Sequence, residues 1–437
     1  MKHTVEEVKL KCGAKGLLID IPGTPVFCME IWFRGGDYYT ESRKKMEAAH
    51  LMEHLAFGAN SKQPNMTEVS RYIKKNGAWF NAHTSRRFLS YEIGAPDFDW
   101  ERLLKQLVLQ VTEPKFLEDE FKAEFGNVQE EMRQRSNDRW GELTSIMGQR
   151  FGWDYNETDL ERLELMNNVV LEDIKSHYKK VHLASNAVFF IAGDLNGKRV
   201  KIRQILEGLG GLPVGKKLSL PEYPEIKSFA DNPVVIVKKD VPNIYFAMEV
   251  HADTGQENNE QDSISLGVLN GILTNGMHSR IFGKARMAGL IYTLGCEKSF
   301  DINGSFSWGI YAQVGVENID KVLKIIVSEM RDIAENGLSK EEVDEAKLAI
   351  KGSLRMSYQT AGGIMGFYQG HYNAREVEEI RYLDDLDGWI DSVTRDSIKK
   401  LFDNLIKTKK WGAGFLGNVT EKQAEKWNKK LAEIFED

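Results

Sequence analysis

Residues 16–20 (GLLID) and 26–33 (VFCMEIWF) are apolar and rich in β-branched and aromatic side chains, and they flank the turn Pro22-Gly23-Thr24-Pro25. This predicts a strand pair. The pattern returns past the middle of the chain, where 233–238 (PVVIVK) and 244–250 (IYFAMEV) flank Asp240-Val241-Pro242-Asn243. Polar residues follow each pair, and then a stretch with helical spacing, 47–57 in the first case and 263–273 in the second. The closing segments also match. A helix over 171–180 and a strand over 187–191 run into AGDLNGKRV; a helix over 394–406 and a strand over 413–416 run into LGNVTEKQA. The chain therefore reads as two copies of one α+β unit, each of roughly 210–220 residues. Residues 117–150 predict one long helix weakened only at Gly126 and Gly141, and 341–358 its counterpart, after which Ala361-Gly362-Gly363 breaks the helical pattern.

The join falls where long apolar runs stop. Residues 213–232 carry Pro213, Gly215, Pro221 and Pro224 among several charges, a linker composition. The expected domains are 1–212 and 233–437. With 437 residues, 42% of them hydrophobic and 28% charged, the chain has ample length for large cores and is not a disordered one. A net charge of −7 argues against a nucleic-acid binder, because phosphate contacts need a cationic surface. Cys12, Cys28 and Cys296 are odd in number and form no CxxC pair, which fits a reducing compartment and no disulfide framework. The N-terminal MKHTVEEVKL lacks the apolar core of a secretory signal, and no apolar run reaches the ~20 residues that span a bilayer. The expectation is a soluble, cytoplasmic protein without nucleic-acid or membrane partners.

Candidate chemistry is concentrated at His50-Leu51-Met52-Glu53-His54. On a helix, residues four apart share a face, so His50 and His54 can grip one metal ion while Glu53 at the edge of that face reaches a coordinated water. Imidazole pairs suit Zn²⁺, and a catalytic zinc takes three protein ligands plus an open position. H-x-x-E-H is the inverted zinc-protease motif. With nine histidines in the whole chain, two at ligand spacing around a glutamate weaken the reading of an ordinary core helix. A third ligand must come from elsewhere, and the acidic run 118–131 supplies candidates. Glu124 and Glu131 lie two helical turns apart on one face, with Glu130 about 100° away from Glu131.

Together these residues resemble the pitrilysin-like (M16, inverzincin) zinc metallopeptidases, in the short two-domain subgroup similar to mitochondrial processing peptidase subunits. The resemblance implies an α+β fold of two homologous α/β-sandwich units in tandem, each an antiparallel-rich sheet with helices packed on it, forming half of a clamshell. In the family pattern H-x-x-E-H is followed by E-x₆-E, which here makes Glu131 the third ligand and Glu124 its support, with Glu130 as the rival by one residue. It implies one Zn²⁺ per chain, Glu53 as general base toward zinc-bound water, and hydrolysis of peptide bonds. Asn81, Ala82 and His83, followed by 88–93, resemble the edge strand that pairs with an extended substrate, although Arg86-Arg87 depart from the acidic residue common there. Residues 275–282 (NGMHSRIF) and 286–292 (RMAGLIY) resemble the family stretch whose arginine and tyrosine contact substrate, placing Arg286 and Tyr292 in those roles, with Ile291 in place of the usual small residue. The second half has no H-x-x-E-H; its 267–273 reads GVLNGIL. Because the family encloses peptides in four such units and this chain has two, the resemblance implies a homodimer, with a heterodimer as the other arrangement. A non-catalytic structural or assembly subunit is the alternative function, and a zinc hydrolase of non-peptide substrates a weaker one. His278 and His371 read as surface or core residues.

Overall fold

The computed structural model describes residues 1–222, 224–253, 260–300, 305–373 and 380–436. Its strands are β1 (Thr4–Lys9), β2 (Lys15–Asp20), β3 (Val26–Arg34), β4 (Trp79–Thr84), β5 (Phe88–Pro96), β6 (Ala187–Gly193), β7 (Val234–Val237), β8 (Asn243–Asp253), β9 (Ile291–Phe300), β10 (Ser305–Gly315) and β11 (Trp411–Gly417). Helices α1 (Glu47–Ala56), α2 (Met66–Lys74), α3 (Trp100–Thr112), α4 (Glu118–Arg135), α5 (Arg139–Phe151), α6 (Asp159–Met166), α7 (Leu171–Val181) and α8 (Arg199–Leu206) occupy the first half. The second half holds α9 (Glu260–Thr274), α10 (Phe282–Met287), α11 (Ile319–Asn336), α12 (Lys340–Ser357), α13 (Ala361–Asn373), α14 (Leu386–Asp391), α15 (Arg395–Lys407) and α16 (Glu421–Ala432). No helix among the described residues is long and apolar enough to cross a membrane.

The duplication is visible in the sheets. The first runs β1-β2-β6-β3-β5-β4 and the second β7-β11-β8-β10-β9. Without β1 the orders correspond strand for strand. In each, the first hairpin strand pairs in parallel with the last strand of the unit, β2 with β6 and β7 with β11, and the other pairs are antiparallel. Alternation along the strands sorts the two faces. Phe27, Met29, Ile31 and Phe33 of β3 enter one core with Leu103, Leu107 and Ile174. Ile244, Phe246, Met248 and Val250 of β8 enter the other with Leu269, Leu323 and Phe402.

The opposite faces explain why the compact units are not the expected chain halves. Unit 1 comprises 1–135, 159–222 and 357–369; unit 2 comprises 136–158, 223–356 and 370–437. A sheet face with apolar residues must be covered, and each sheet takes one helix on this second face. In unit 2, Leu143, Met147 and Phe151 of α5 pack with Ala247, Leu416 and Phe229. Gly414 of β11 permits that approach, since a Cβ there would lie 2.7 Å from both Leu143 and Met147. In unit 1, 361–369 of α13 do the same: Tyr368 meets His3 at 2.7 Å and Gln369 donates to Glu30. The boundaries 1–212 and 233–437 describe the sequence repeat, whereas packing moves 136–158 and 357–369 out of their halves.

This also corrects two helix readings. The stretch 117–150 is two helices, broken at Ser136-Asn137-Asp138, where the Asp138 carboxylate accepts the Trp140 N–H at 3.0 Å and starts α5 anew. Gly126 and Gly141 do not break anything. Ala361-Gly362-Gly363 opens a helix instead of ending one, with the Gly363 N–H bonded to Thr360 Oγ1 at 3.0 Å. The cysteines are free.

Candidate metal centre

Helix α1 buries nearly all of its ten residues, three ionisable ones included: Glu47 is fully buried and His50 and Glu53 are below a tenth exposed. Buried charges persist only when paired, and every polar side chain here has a partner. Helix α4 packs across α1 and presents one face carrying Glu124, the fully buried Val128, and Glu131. Glu131 Oε2 stands 3.6 Å from His50 Nε2 and 3.5 Å from His54 Nε2. One ligand atom from each of His50, His54 and Glu131 lies within 4.8 Å of the other two. Zinc bonds of about 2.0–2.1 Å in tetrahedral geometry separate neighbouring ligand atoms by about 3.4 Å, so this donor set fits a divalent ion with little adjustment. Glu130 points elsewhere, toward Arg133 at 3.5 Å. Of the two candidates in the acidic run, Glu131 is the one that the structure brings to both histidines.

The other ring nitrogens are equally constrained. His54 Nδ1 meets Glu124 Oε2 at 2.8 Å, and Asn127 holds the second oxygen of Glu124 at 3.0 Å. His50 Nδ1 meets Glu47 Oε2 at 3.2 Å, and Arg162 of α6 donates to Glu47 Oε1 at 2.6 Å. Arg162 reaches Asp37 as well, at 3.5 Å. Each histidine thus has its Nδ1 on a carboxylate and its Nε2 facing Glu131, the arrangement that fixes a metal-binding tautomer. Sequence reasoning found Glu124 but not Glu47, although Glu47 sits one turn before His50 on the same face. It had no signal for Arg162, which arrives from 115 residues away.

The electrostatics follow from this crowding. Burial pulls His50 down, but contacts to Glu131 and Glu47 outweigh it and raise its pKa to about 9. The contact with His50 brings Glu131 down to about 2 against the effect of burial. Without metal the His50 ring therefore holds a proton between carboxylates, the position a divalent cation would take over.

Glu53 Oε2 accepts a hydrogen bond from Thr84 Oγ1 at 2.8 Å. Thr84 ends β4, which among the described residues pairs with β5 alone and forms the rim of its sheet. A cavity of about 530 Å³ opens here, lined by the His50, Glu53, His54 and Glu131 side chains on one side and Asn81, Ala82, His83 and Thr84 on the other. The predicted edge-strand residues are therefore beside the histidine–glutamate cluster. Arg286 and Tyr292 belong to unit 2, where the Arg286 guanidinium lies 4.8 Å from the Tyr292 ring centre and donates to the Ile291 carbonyl at 2.9 Å. Tyr292 is 80% exposed. His278 is exposed and His371 lies 6.4 Å from Trp389, ring to ring.

Two equivalent sheet units and an H-x-x-E-H helix approached by a glutamate from a second helix match the pattern of the inverted-motif zinc peptidases. Family models agree with it. One described as "Insulinase (Peptidase family M16)" matches residues 17–149, and one described as "Peptidase M16 inactive domain" matches 168–350. The chain belongs to peptidase family M16. An uncharacterized zinc protease of Streptomyces coelicolor is 23% identical over 98% of this chain and 93% of its own. Among solved structures, a protease from Helicobacter pylori superposes with a TM-score of 0.82 at 19% identity, covering 95% of this chain and all of that one. The periplasmic protease PqqL of Escherichia coli superposes at 0.76 and 12% identity, with 96% of this chain matching 46% of that one.

Proposed function

We propose that this protein is a zinc-dependent endopeptidase that hydrolyses unfolded peptides. The observation that carries the reading is the convergence of His50 Nε2, His54 Nε2 and Glu131 Oε2 beside Glu53, in a cavity walled by a sheet edge. The three side chains would hold the ion, and zinc supplies a Lewis acid that polarises a carbonyl and acidifies water. Glu124 and Glu47 keep both imidazoles oriented through their Nδ1 atoms. The Glu53 carboxylate takes the proton from the attacking water and returns it to the leaving amine. Thr84 donates to one oxygen of Glu53, leaving the other for that proton. The free rim of β4 pairs with the substrate backbone, which favours extended chains over folded ones. Arg286 and Tyr292 contact the substrate and help polarise its carbonyl; this role rests on the family pattern they match.

The chain completes its chamber as a homodimer in this reading, supported by the match to just under half of the longer PqqL chain. The test is digestion of a peptide library by zinc-loaded protein, with and without chelator, alongside a solution mass. Chelator-sensitive internal cleavage by a dimer is the expected result. Bound zinc at one per chain with no cleavage would instead favour a non-catalytic subunit.

A further inference from the structure

Glu131 sits in the last turn of α4, where helices fray, and its side chain is 38% exposed. Packing alone does not hold such a side chain in one rotamer. What does so is its second oxygen. Oε1 accepts a hydrogen bond from Arg135 Nη1 at 2.9 Å, from four residues further along the same helix face. The other edge of that guanidinium is also engaged: Nε and Nη2 both donate to Asp159 Oδ1, at 3.2 and 2.9 Å. A guanidinium is planar and presents its N–H groups in fixed directions. With Asp159 on one edge, the direction of Nη1 is set. The Glu131 carboxylate is then turned so that Oε2 lies 3.6 Å from His50 Nε2 and 3.5 Å from His54 Nε2.

Asp159 opens α6, and Arg162 follows three residues on, on the same side of that helix. Arg162 holds Glu47, which in turn meets His50. One short helix thus reaches side chains of two others, His50 of α1 through Glu47 and Glu131 of α4 through Arg135. The chain path adds to this. Arg135 is the last residue of unit 1 before 136–158 depart to unit 2, and Asp159 is the first after the return. Their ion pair closes the neck of that excursion and ties down the turn that carries Glu131.

We propose that Arg135 and Asp159 are positioning residues of the metal centre, which fix the Glu131 carboxylate with Oε2 toward both imidazoles. The assignment rests on the zinc reading of the site and goes beyond its ligands. Exposed ion pairs add little to folding stability, so an effect on metal binding separates this role from a merely structural one. The test uses the full-length protein stripped of metal and titrated with Co²⁺, whose visible absorption bands report the geometry of its ligands. Affinity is read by competition with a chromogenic chelator.

Arg135→Gln should bind Co²⁺ about 10–100-fold more weakly than wild type, with altered bands and near-normal thermal unfolding. Asp159→Ala, which frees the guanidinium from its anchor, should alter the bands in the same direction with a smaller loss of affinity. The double variant should match Arg135→Gln alone, because both changes act through one contact. Arg199→Gln is the control. That arginine also joins two carboxylates in unit 1, Glu6 at 3.2 Å and Asp20 at 2.8 Å, and its loss should change neither affinity nor bands. Wild-type affinity and bands in Arg135→Gln overturn the proposal. So does tighter binding, which would make Arg135 a repelling charge, and so do losses that add in the double variant or an equal loss in Arg199→Gln. If Arg135→Gln does not fold, Asp159→Ala by itself must alter the bands. The zinc-peptidase reading fails separately, through wild-type protein that binds no metal or cleaves nothing when loaded.

Discussion

Glu30 and Glu249 occupy the same place in two copies of one strand, within Cys28-Met29-Glu30-Ile31-Trp32 and Ala247-Met248-Glu249-Val250-His251. Across the sheet, Glu30 faces Glu92 whereas Glu249 faces Gly309. In unit 1, burial and the Glu92 charge raise the Glu30 pKa, and Gln369 bonds its carboxylate. In unit 2 the glycine leaves room. Aromatic residues trade places in the same way: Trp79 of the edge strand lies over Gly94 in unit 1, while Tyr311 of the inner strand lies over Gly295 in unit 2. The other faces diverge further. Helix α1 of unit 1 holds His50, Glu53 and His54, whereas α9 of unit 2 has no ionisable residue from 263 to 274. One scaffold thus carries a helix with a cluster of candidate metal ligands in one copy and an apolar helix in the other, because the sheet supplies the fold and leaves individual positions free.

The sharpest way to break this division of labour is Glu53→Gln. It should keep zinc, measured by elemental analysis, and lower peptide turnover by about 10²–10⁴-fold. Near-normal turnover would remove Glu53 from the mechanism and place the chemistry elsewhere. The ligand set can be probed just as directly. Glu131→Gln should cut zinc stoichiometry after dialysis, while Glu130→Gln, altering a residue that points to Arg133, should not. Glu249→Gln and Glu297→Gln should leave zinc content at the wild-type level, since both lie in unit 2.

A smaller effect tests whether the carboxylates behind the histidines matter individually. Glu47→Gln keeps the shape of the side chain but loses its charge against His50 and Arg162. Zinc affinity, read by competition with a chromogenic chelator, should fall about 10–100-fold. An unchanged affinity would mean that Glu47 serves only to neutralise Arg162. Unfolding monitored in parallel separates the two, because a lost buried ion pair also lowers stability.

How far the sequence could be read follows from range. The H-x-x-E-H helix was legible because its chemistry is local, two candidate ligands and a candidate base within one and a half turns. The strand pairs and duplication were legible because alternation and its recurrence need no tertiary information. The Glu131 register required a family pattern, since spacing alone allows Glu130 the same approach to a distant helix. Arg162 and the α5/α13 coverings were illegible, because each depends on which segment happens to cap a surface far along the chain. Even the break at Asp138 is a tertiary matter in part: the capping signal Ser136-Asn137-Asp138 is present, but strong helix formers on both sides mask it until α5 is needed on the second sheet.

The least dramatic contrast between the units is their response to acid. In unit 1, burial lowers the pKa of His177 to about 4, with Nε2 at 2.6 Å from the Gly35 carbonyl, and that of the fully buried His182 well below its ordinary value. The unfolded chain binds protons at these rings from about pH 6.5 downward, and the folded one does not. Stability from them is therefore complete above about pH 6.5 and is lost as pH falls toward 4, by about 3 kcal/mol for His177. In unit 2, the two-pronged contact from Arg280, at 2.5 and 3.0 Å, brings Glu342 down to about 2. Its contribution is present above about pH 4.5 and disappears only as pH falls from there toward 2; solvent screening of this half-exposed pair keeps it smaller. Hydrogen exchange followed by mass spectrometry on zinc-free protein should show amides of unit 1 losing protection between pH 6.5 and 4, after correction for the intrinsic rate, while those around α10 and α12 hold. His177→Gln should flatten the unit 1 response. Simultaneous loss in both units above pH 4.5 would show that the buried histidines do not set the acid limit of unit 1 separately from that of unit 2.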